Sequence, residues 1–143
     1  MTRNFDHLRI GKFLTGSYEI TLDHLLITNA TNVSIDGCGP SSEDIRRFVK
    51  LWIQGDCNPR LKYLVLLYYH NDRRPRIRKE EILWGFQYRE WEKHEERQVH
   101  TTFGFLRPAR NGYDIRRKKD GVRASLHFEH GPHRLRFAFF VWD

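Results

Sequence analysis

The chain has 143 residues, with 25 Lys and Arg against 18 Asp and Glu for a formal charge of +7, and it is 39% hydrophobic and 14% aromatic. That length supports one domain burying roughly two-thirds of the surface its unfolded form exposes, and ten Phe with four Trp exclude the composition of disordered chains. The positive charge suits a polyanionic partner and equally suits solubility, so by itself it selects neither.

No stretch reaches the ~18 apolar residues of a membrane span. Cys38 and Cys57, with no apolar leader at the N-terminus, point to a reducing intracellular setting, cytoplasmic or nuclear, where thiols stay free. The sequons at Asn29 and Asn32 are then coincidental.

In chain order, an apolar-x-x-apolar-x-apolar hexad occurs at Phe5 to Ile10, Ala30 to Ile35 and Leu61 to Leu66. The steps from 5 to 30 to 61 are 25 and 31 residues, near or just above the ~20–29 residues of a leucine-rich repeat, in which a short strand precedes a helix. "TLDHLLITN" before the second hexad reads as a short helix. Between the second and third lies "PSSEDIRRFVKLWIQG", where Ile45, Phe48, Val49 and Trp52 recur at 3, 4 and 7 and so share one helical face. Ser41 with Asp44 resembles a capping box, Gly55 suits a left-handed closure, and Pro59 prevents resumption. "KEEILWG" before Phe86 reads as another short helix. Residues 86 to 111 mix charge with Gly and Pro and carry little periodicity.

From Tyr113 the period becomes two. Tyr113 and Ile115, then Val122 to Phe128, then Leu135 to Val141 form alternating runs joined by Lys-Asp-Gly and His-Gly-Pro-His turns, the pattern of an antiparallel meander with one buried face. The expected fold is therefore α/β: short leucine-rich-repeat-like strand-helix units with parallel strands over residues 1–85, closed by a mostly β part over 86–143, within one domain. Neighbouring units cover each other's apolar faces, which a single unit cannot do alone.

The chemistry-bearing residues point to binding without catalysis. In "DIRRKKDGVRASLHF", Arg116 and Arg123 alternate outward from Ile115 and Ala124 while Lys118 and Lys119 occupy the turn, which reads as a solvated, cation-guarded surface. His127, His130 and His133 are spaced by three, but on a strand that spacing sends neighbours to opposite faces, so no metal site is expected. No Gly-rich phosphate loop and no Gly-x-Ser-x-Gly elbow occurs, and no cofactor or enzymatic activity is expected. Trp52 reads as core and Trp142 as a cap on the meander. Trp84 and Trp91 are open, and an exposed aromatic among them would anchor a partner better than any charge.

If Leu8, Ile10, Val33, Ile35, Leu64 and Leu66 face the helices, then His7, Arg9, Asn32, Ser34, Asp36, Tyr63, Val65 and Leu67 form the opposite face, the expected protein-binding patch. The competing surface is basic: Arg73, Arg74, Arg76, Arg78 and Lys79 in "RRPRIRK" could neutralise phosphates and make a nucleic-acid-binding loop. No base-stacking fingerprint accompanies that loop.

"LLITNATNVSID", "SSEDIRRFVKLWIQGDCNPRLKYL", "YDIRRKKDGVRASLHF" and "FAFFVW" together resemble the F-box-associated domain, type 2, of the large nematode F-box families. The resemblance implies the substrate-recognition part of a ubiquitin-ligase receptor, whose F-box docks a Skp-type adaptor. No F-box segment is read in this chain, so adaptor binding is expected only if one is present elsewhere. The partner implied is a protein, with nucleic acid as the alternative and no membrane.

Overall fold

The computed structural model describes residues 7–10, 23, 29–36, 40–57, 60–69, 77–100, 106–132 and 134–142. In order these form β1 (His7–Ile10), β2 (Asn32–Asp36), α1 (Ser42–Gln54), β3 (Tyr63–Tyr69), α2 (Lys79–Leu83), β4 (Arg89–Glu90), β5 (Arg97–His100), β6 (Leu106–Ala109), β7 (Gly112–Arg116), β8 (Arg123–His130) and β9 (Arg134–Val141). The helix expected over 21–29 falls, but for two residues, outside the described ones.

The three hexads lie side by side. β1 pairs with β2 and β2 with β3, both parallel, in a register that aligns Leu8 with Val33 and Leu64. Beyond β3 the sheet continues with strands from the far end of the chain, in the order β1-β2-β3-β9-β8-β7-β4, and those added pairs are antiparallel. The meander thus takes the place another parallel unit would hold in a repeat array. The fold is mixed α/β with one large sheet, antiparallel over most of its width.

Register explains the core. One row runs Leu8, Val33, Leu64, Phe139, Leu126 and Tyr113 across six strands. Because side chains at matched positions project to the same face, this row and the parallel one through Ile35, Leu66 and Phe137 make a continuous apolar surface. Helix α1 covers it with Ile45, Phe48, Val49 and Trp52, all buried. Phe48 and Trp52 meet Phe139 edge-on at ring separations of 5.7 and 5.3 Å, the arrangement that aromatic quadrupoles favour.

The ends of α1 are as the sequence indicates. The Ser41 hydroxyl accepts from the Asp44 backbone N–H at 3.2 Å, and Gly55 closes the helix at φ 83°. Helix α2 adds Ile82 and Leu83 to the same core. It is tied to the start of α1 by the Arg78 N–H, which donates to the Ser42 hydroxyl at 2.9 Å.

The meander was expected to bury one face, and it buries both. The opposite row runs Tyr63, Phe140, Ser125 and Asp114, and its neighbour runs Ser34, Val65, Ala138, His127 and Gly112. A two-stranded sheet, β5 with β6, supplies Val99 and Ala109 to a second cluster with Trp91, Tyr63, Val65, Ala138 and Phe140. Alternation in a sequence reports polarity, not exposure. Ser125, Asp114 and His127 hold the polar positions of that alternation, yet all three are buried, and Ser125 donates to Asp114.

Candidate partner-binding site

The second layer removes the centre of the expected binding face. Val65 is 0% exposed, Tyr63 6% and Ser34 7%, so none of the three is free to meet a partner. Trp91, Val99, Ala138 and Phe140 surround Tyr63 and Val65, and the Tyr63 hydroxyl accepts from Arg136 at 2.9 Å. Leu67 is half-buried against this same cluster. What remains of the patch is peripheral. His7 is exposed and bonded to the Asn32 amide at 3.0 Å, Asn32 and Asp36 are half-buried, and Arg9 stands in β1 opposite Ser34.

Of the expected basic loop, Arg73, Arg74 and Arg76 lie outside the described residues. Arg78 is exposed. Lys79 is exposed as well, its ammonium 5.8 Å from the centre of the Tyr113 ring, and that tyrosine, with help from Glu80 and Glu90, raises its pKa.

The basic hairpin is surface, as its alternation implies. Arg116, Lys118, Lys119 and Arg123 are exposed, whereas Arg117 turns inward over the Trp52 ring at 5.3 Å and is held by Asp120 at 2.8 Å. His127 is buried and His130 exposed, and His133 and Cys38 fall outside the described residues. Burial pushes the Cys57 thiol up to about 11 despite the nearby Arg117 charge, so it is protonated at neutral pH. Among the described residues no group of three His, Cys, Asp or Glu is placed to hold a metal ion.

One surface does carry unsatisfied apolar area. Among the described residues the exposed large hydrophobics are Trp84, at 72%, and Tyr88, at 48%. They flank a groove of about 460 Å3 between α2, the segment after it, and β7. Local sequence places them. Ile82 and Leu83 are consumed by the core, so the next residue, Trp84, leaves the helix at φ −57°, ψ 127° and cannot follow them inward. Gly85 then reverses the chain at φ 81°, a conformation that a Cβ disfavours, and Phe86 closes the turn by donating to the Leu83 carbonyl at 3.1 Å.

The exposed indole is held rather than loose. Arg46, from α1, donates to the Trp84 carbonyl at 3.1 Å, and its guanidinium lies 5.1 Å from the Trp84 ring and 5.4 Å from that of Phe86. Across the groove Tyr88 meets Tyr113 edge-on at 5.6 Å. Two carboxylates, Glu80 and Glu90, complete the lining. Sequence alone left Trp84 open and did not single out Tyr88. The only signal for Trp84 was its place after a two-residue apolar pair at the end of a one-turn helix.

The geometry is that of a mixed α/β scaffold presenting a fixed aromatic groove. Residues 1–66 match the family model described as F-box associated, the family that the sequence resembles. That stretch holds β1, β2, α1 and the start of β3, and the groove lies beyond it. No curated protein and no solved structure matches the chain. Among the described residues no helix is long and apolar enough to cross a membrane.

Proposed function

We propose that this is a non-catalytic protein-binding domain, the substrate-recognition part of an intracellular F-box-type ubiquitin-ligase receptor, and that it captures its protein partner in the groove beside Trp84 and Tyr88. The observation that carries this reading is an indole 72% exposed yet fixed by Arg46 on its ring and carbonyl. A large aromatic held in its binding position loses little conformational freedom on association, which is why such residues dominate interface energetics. In this reading β1 to β3 are short leucine-rich-repeat-like units, with β2, α1 and β3 the unit whose strands and helix are described. They serve as scaffold. A Skp-type adaptor would be engaged by an F-box elsewhere in the protein, leaving selection to this domain.

The test compares partner capture by the wild-type chain with that by Trp84→Ala/Tyr88→Ala and by the charge reversals Arg73→Glu, Arg74→Glu, Arg76→Glu and Arg78→Glu. The aromatic pair is expected to abolish capture with an unchanged melting curve. A captured protein should also become ubiquitinated when the domain is joined to an F-box in a reconstituted ligase. Capture that survives loss of both aromatics overturns the reading. Binding to a random oligonucleotide that is steeply salt-dependent and lost on charge reversal would point instead to the basic loop.

A further inference from the structure

The groove also has an electrostatic character that narrows what can occupy it. The chain carries +7 overall, yet this lining sets two carboxylates, Glu80 and Glu90, against one ammonium. That ammonium, Lys79, already lies against the Tyr113 ring, 5.8 Å from its centre. Among the described residues neither Glu80 nor Glu90 has an ion-pair partner within 4 Å, and the cation that both act on at longer range is Lys79. Arg46 supports Trp84 but is not part of the groove lining.

Three occupant chemistries meet this site differently. An anion would meet two carboxylates beside the electron-rich rings of Trp84 and Tyr88, and is repelled. A purely apolar side chain would cover the rings but strip water from Glu80 and Glu90 without replacing their hydrogen bonds, which is unfavourable. A cation is attracted by both features, since ring quadrupoles draw positive charge to the face and the carboxylates flank it. The protein already uses Trp84 and two neighbouring rings in this way, with Arg46 on Trp84 and Phe86 and Lys79 on Tyr113.

Resting on the protein-binding reading of this groove, we propose that its occupant is a positively charged side chain, arginine or lysine, of the partner protein, laid against Trp84 and Tyr88 and flanked by Glu80 and Glu90. Specificity would then come from charge on an aromatic platform, and loss of that charge in the partner would release it.

The experiment titrates the isotopically labelled chain with Nα-acetyl-arginine methylamide and, separately, with Nα-acetyl-citrulline methylamide, a near-isosteric neutral probe. The readout is the indole N–H resonance of Trp84, assigned by its loss in Trp84→Phe. The arginine probe is expected to move that resonance saturably and about tenfold more tightly than citrulline. Glu80→Gln/Glu90→Gln should reduce the difference, and added salt should diminish it. Equal binding of both probes overturns the charge-selective occupant while leaving the groove as a binding site. A Trp84 resonance unmoved by either probe overturns the groove itself.

Discussion

Arg97 and Asp114 form a two-pronged ion pair between layers: one guanidinium nitrogen lies 2.9 Å from Oδ1 and the other 2.8 Å from Oδ2. Arg97 belongs to β5 in the small sheet, and Asp114 to β7 in the large one. The same carboxylate accepts from the Trp91 indole at 2.8 Å, the Ser125 hydroxyl at 2.5 Å and Arg89 at 2.9 Å, while the Arg97 guanidinium stacks 4.4 Å from the Trp91 ring. Asp114 is therefore the point on which the second layer is fastened. Its removal leaves the Trp91 indole N–H without its acceptor and the half-buried Arg97 guanidinium with Glu95 as its remaining carboxylate.

Asp114→Asn is expected to lower stability by on the order of 3 kcal/mol, the usual result of breaking one side of a buried charged network. Urea denaturation measures the loss. Limited proteolysis should find new cutting within residues 91–100 before the rest of the sheet is attacked. A variant as stable as the wild type would show that the small sheet is held by its apolar contacts alone.

The same carboxylate gives an acid dependence with a definite sign. Burial alone would raise its pKa, but hydrogen bonds from Arg97, Ser125, Trp91 and Arg89 outweigh that and hold it at about 2, below the ordinary 3.8. A group with a depressed folded-state pKa stabilises the fold fully above its unfolded value and loses that contribution as pH falls through the folded one. Stability should thus decline between about pH 4 and pH 2 more steeply in the wild type than in Asp114→Asn. Parallel acid-unfolding curves would contradict it.

Gly112 is fixed by the ring that crosses it. A Cβ there would stand 2.5 Å from Trp91 Cε2 and 2.6 Å from Cζ2, too close for either to remain in place. Gly112→Ala should cost roughly 1–3 kcal/mol through forced repacking. In a Trp91→Leu background, which removes the indole, the same substitution should cost clearly less, and the two changes should couple in a double-mutant cycle. Additive effects would mean the crowding is relieved elsewhere.

The two aromatic environments differ sharply in what they do for stability. Phe139, fully buried between α1 and the sheet, should cost about 3–5 kcal/mol on replacement by Ala. Trp84, exposed on the groove, should change stability by no more than about 0.5 kcal/mol. Melting curves of both variants test this contrast. A large loss for Trp84→Ala would make that indole a structural residue and undermine its assignment as a partner anchor.

The sequence made some of this legible and hid the rest for physical reasons. Helix α1 could be read to the residue because its face, Ile45 to Trp52, and both caps are local features. The parallel register of Leu8, Val33 and Leu64 was legible because each hexad repeats one apolar pattern. The second layer was not. Its attachment rests on polar residues, Asp114, Arg97 and Ser125, whose burial depends on partners distant in the chain. For the same reason Tyr63 and Val65 were assigned to an open face, since nothing local in the hexad indicates that β5 and β6 return to cover it. Trp84 was undecided because its exposure follows from where the preceding pair Ile82–Leu83 is spent.

His127 supplies a second titration, distinct from that of Asp114. Its ring is buried and stacks on Trp91 at 6.4 Å and 21°, and among the described residues Nδ1 has no hydrogen-bond partner. Burial pushes its pKa below the ordinary 6.5, and the Arg136 charge adds to that, with Arg107 acting the same way and Glu129 and the Arg110 backbone opposing. A histidine depressed in this way is held neutral by the fold, so its contribution is complete above about pH 6.5 and is lost as pH falls through the lower folded-state value. His127→Phe keeps an aromatic on Trp91 but cannot be protonated. Its melting temperature should therefore fall less than that of the wild type as pH is lowered from about 6.5 towards 5. An NMR titration of the imidazole should likewise place its midpoint below 6.5. Identical pH profiles for the two proteins, or a midpoint above that of a free histidine, would refute the assignment of His127 as a buried neutral ring.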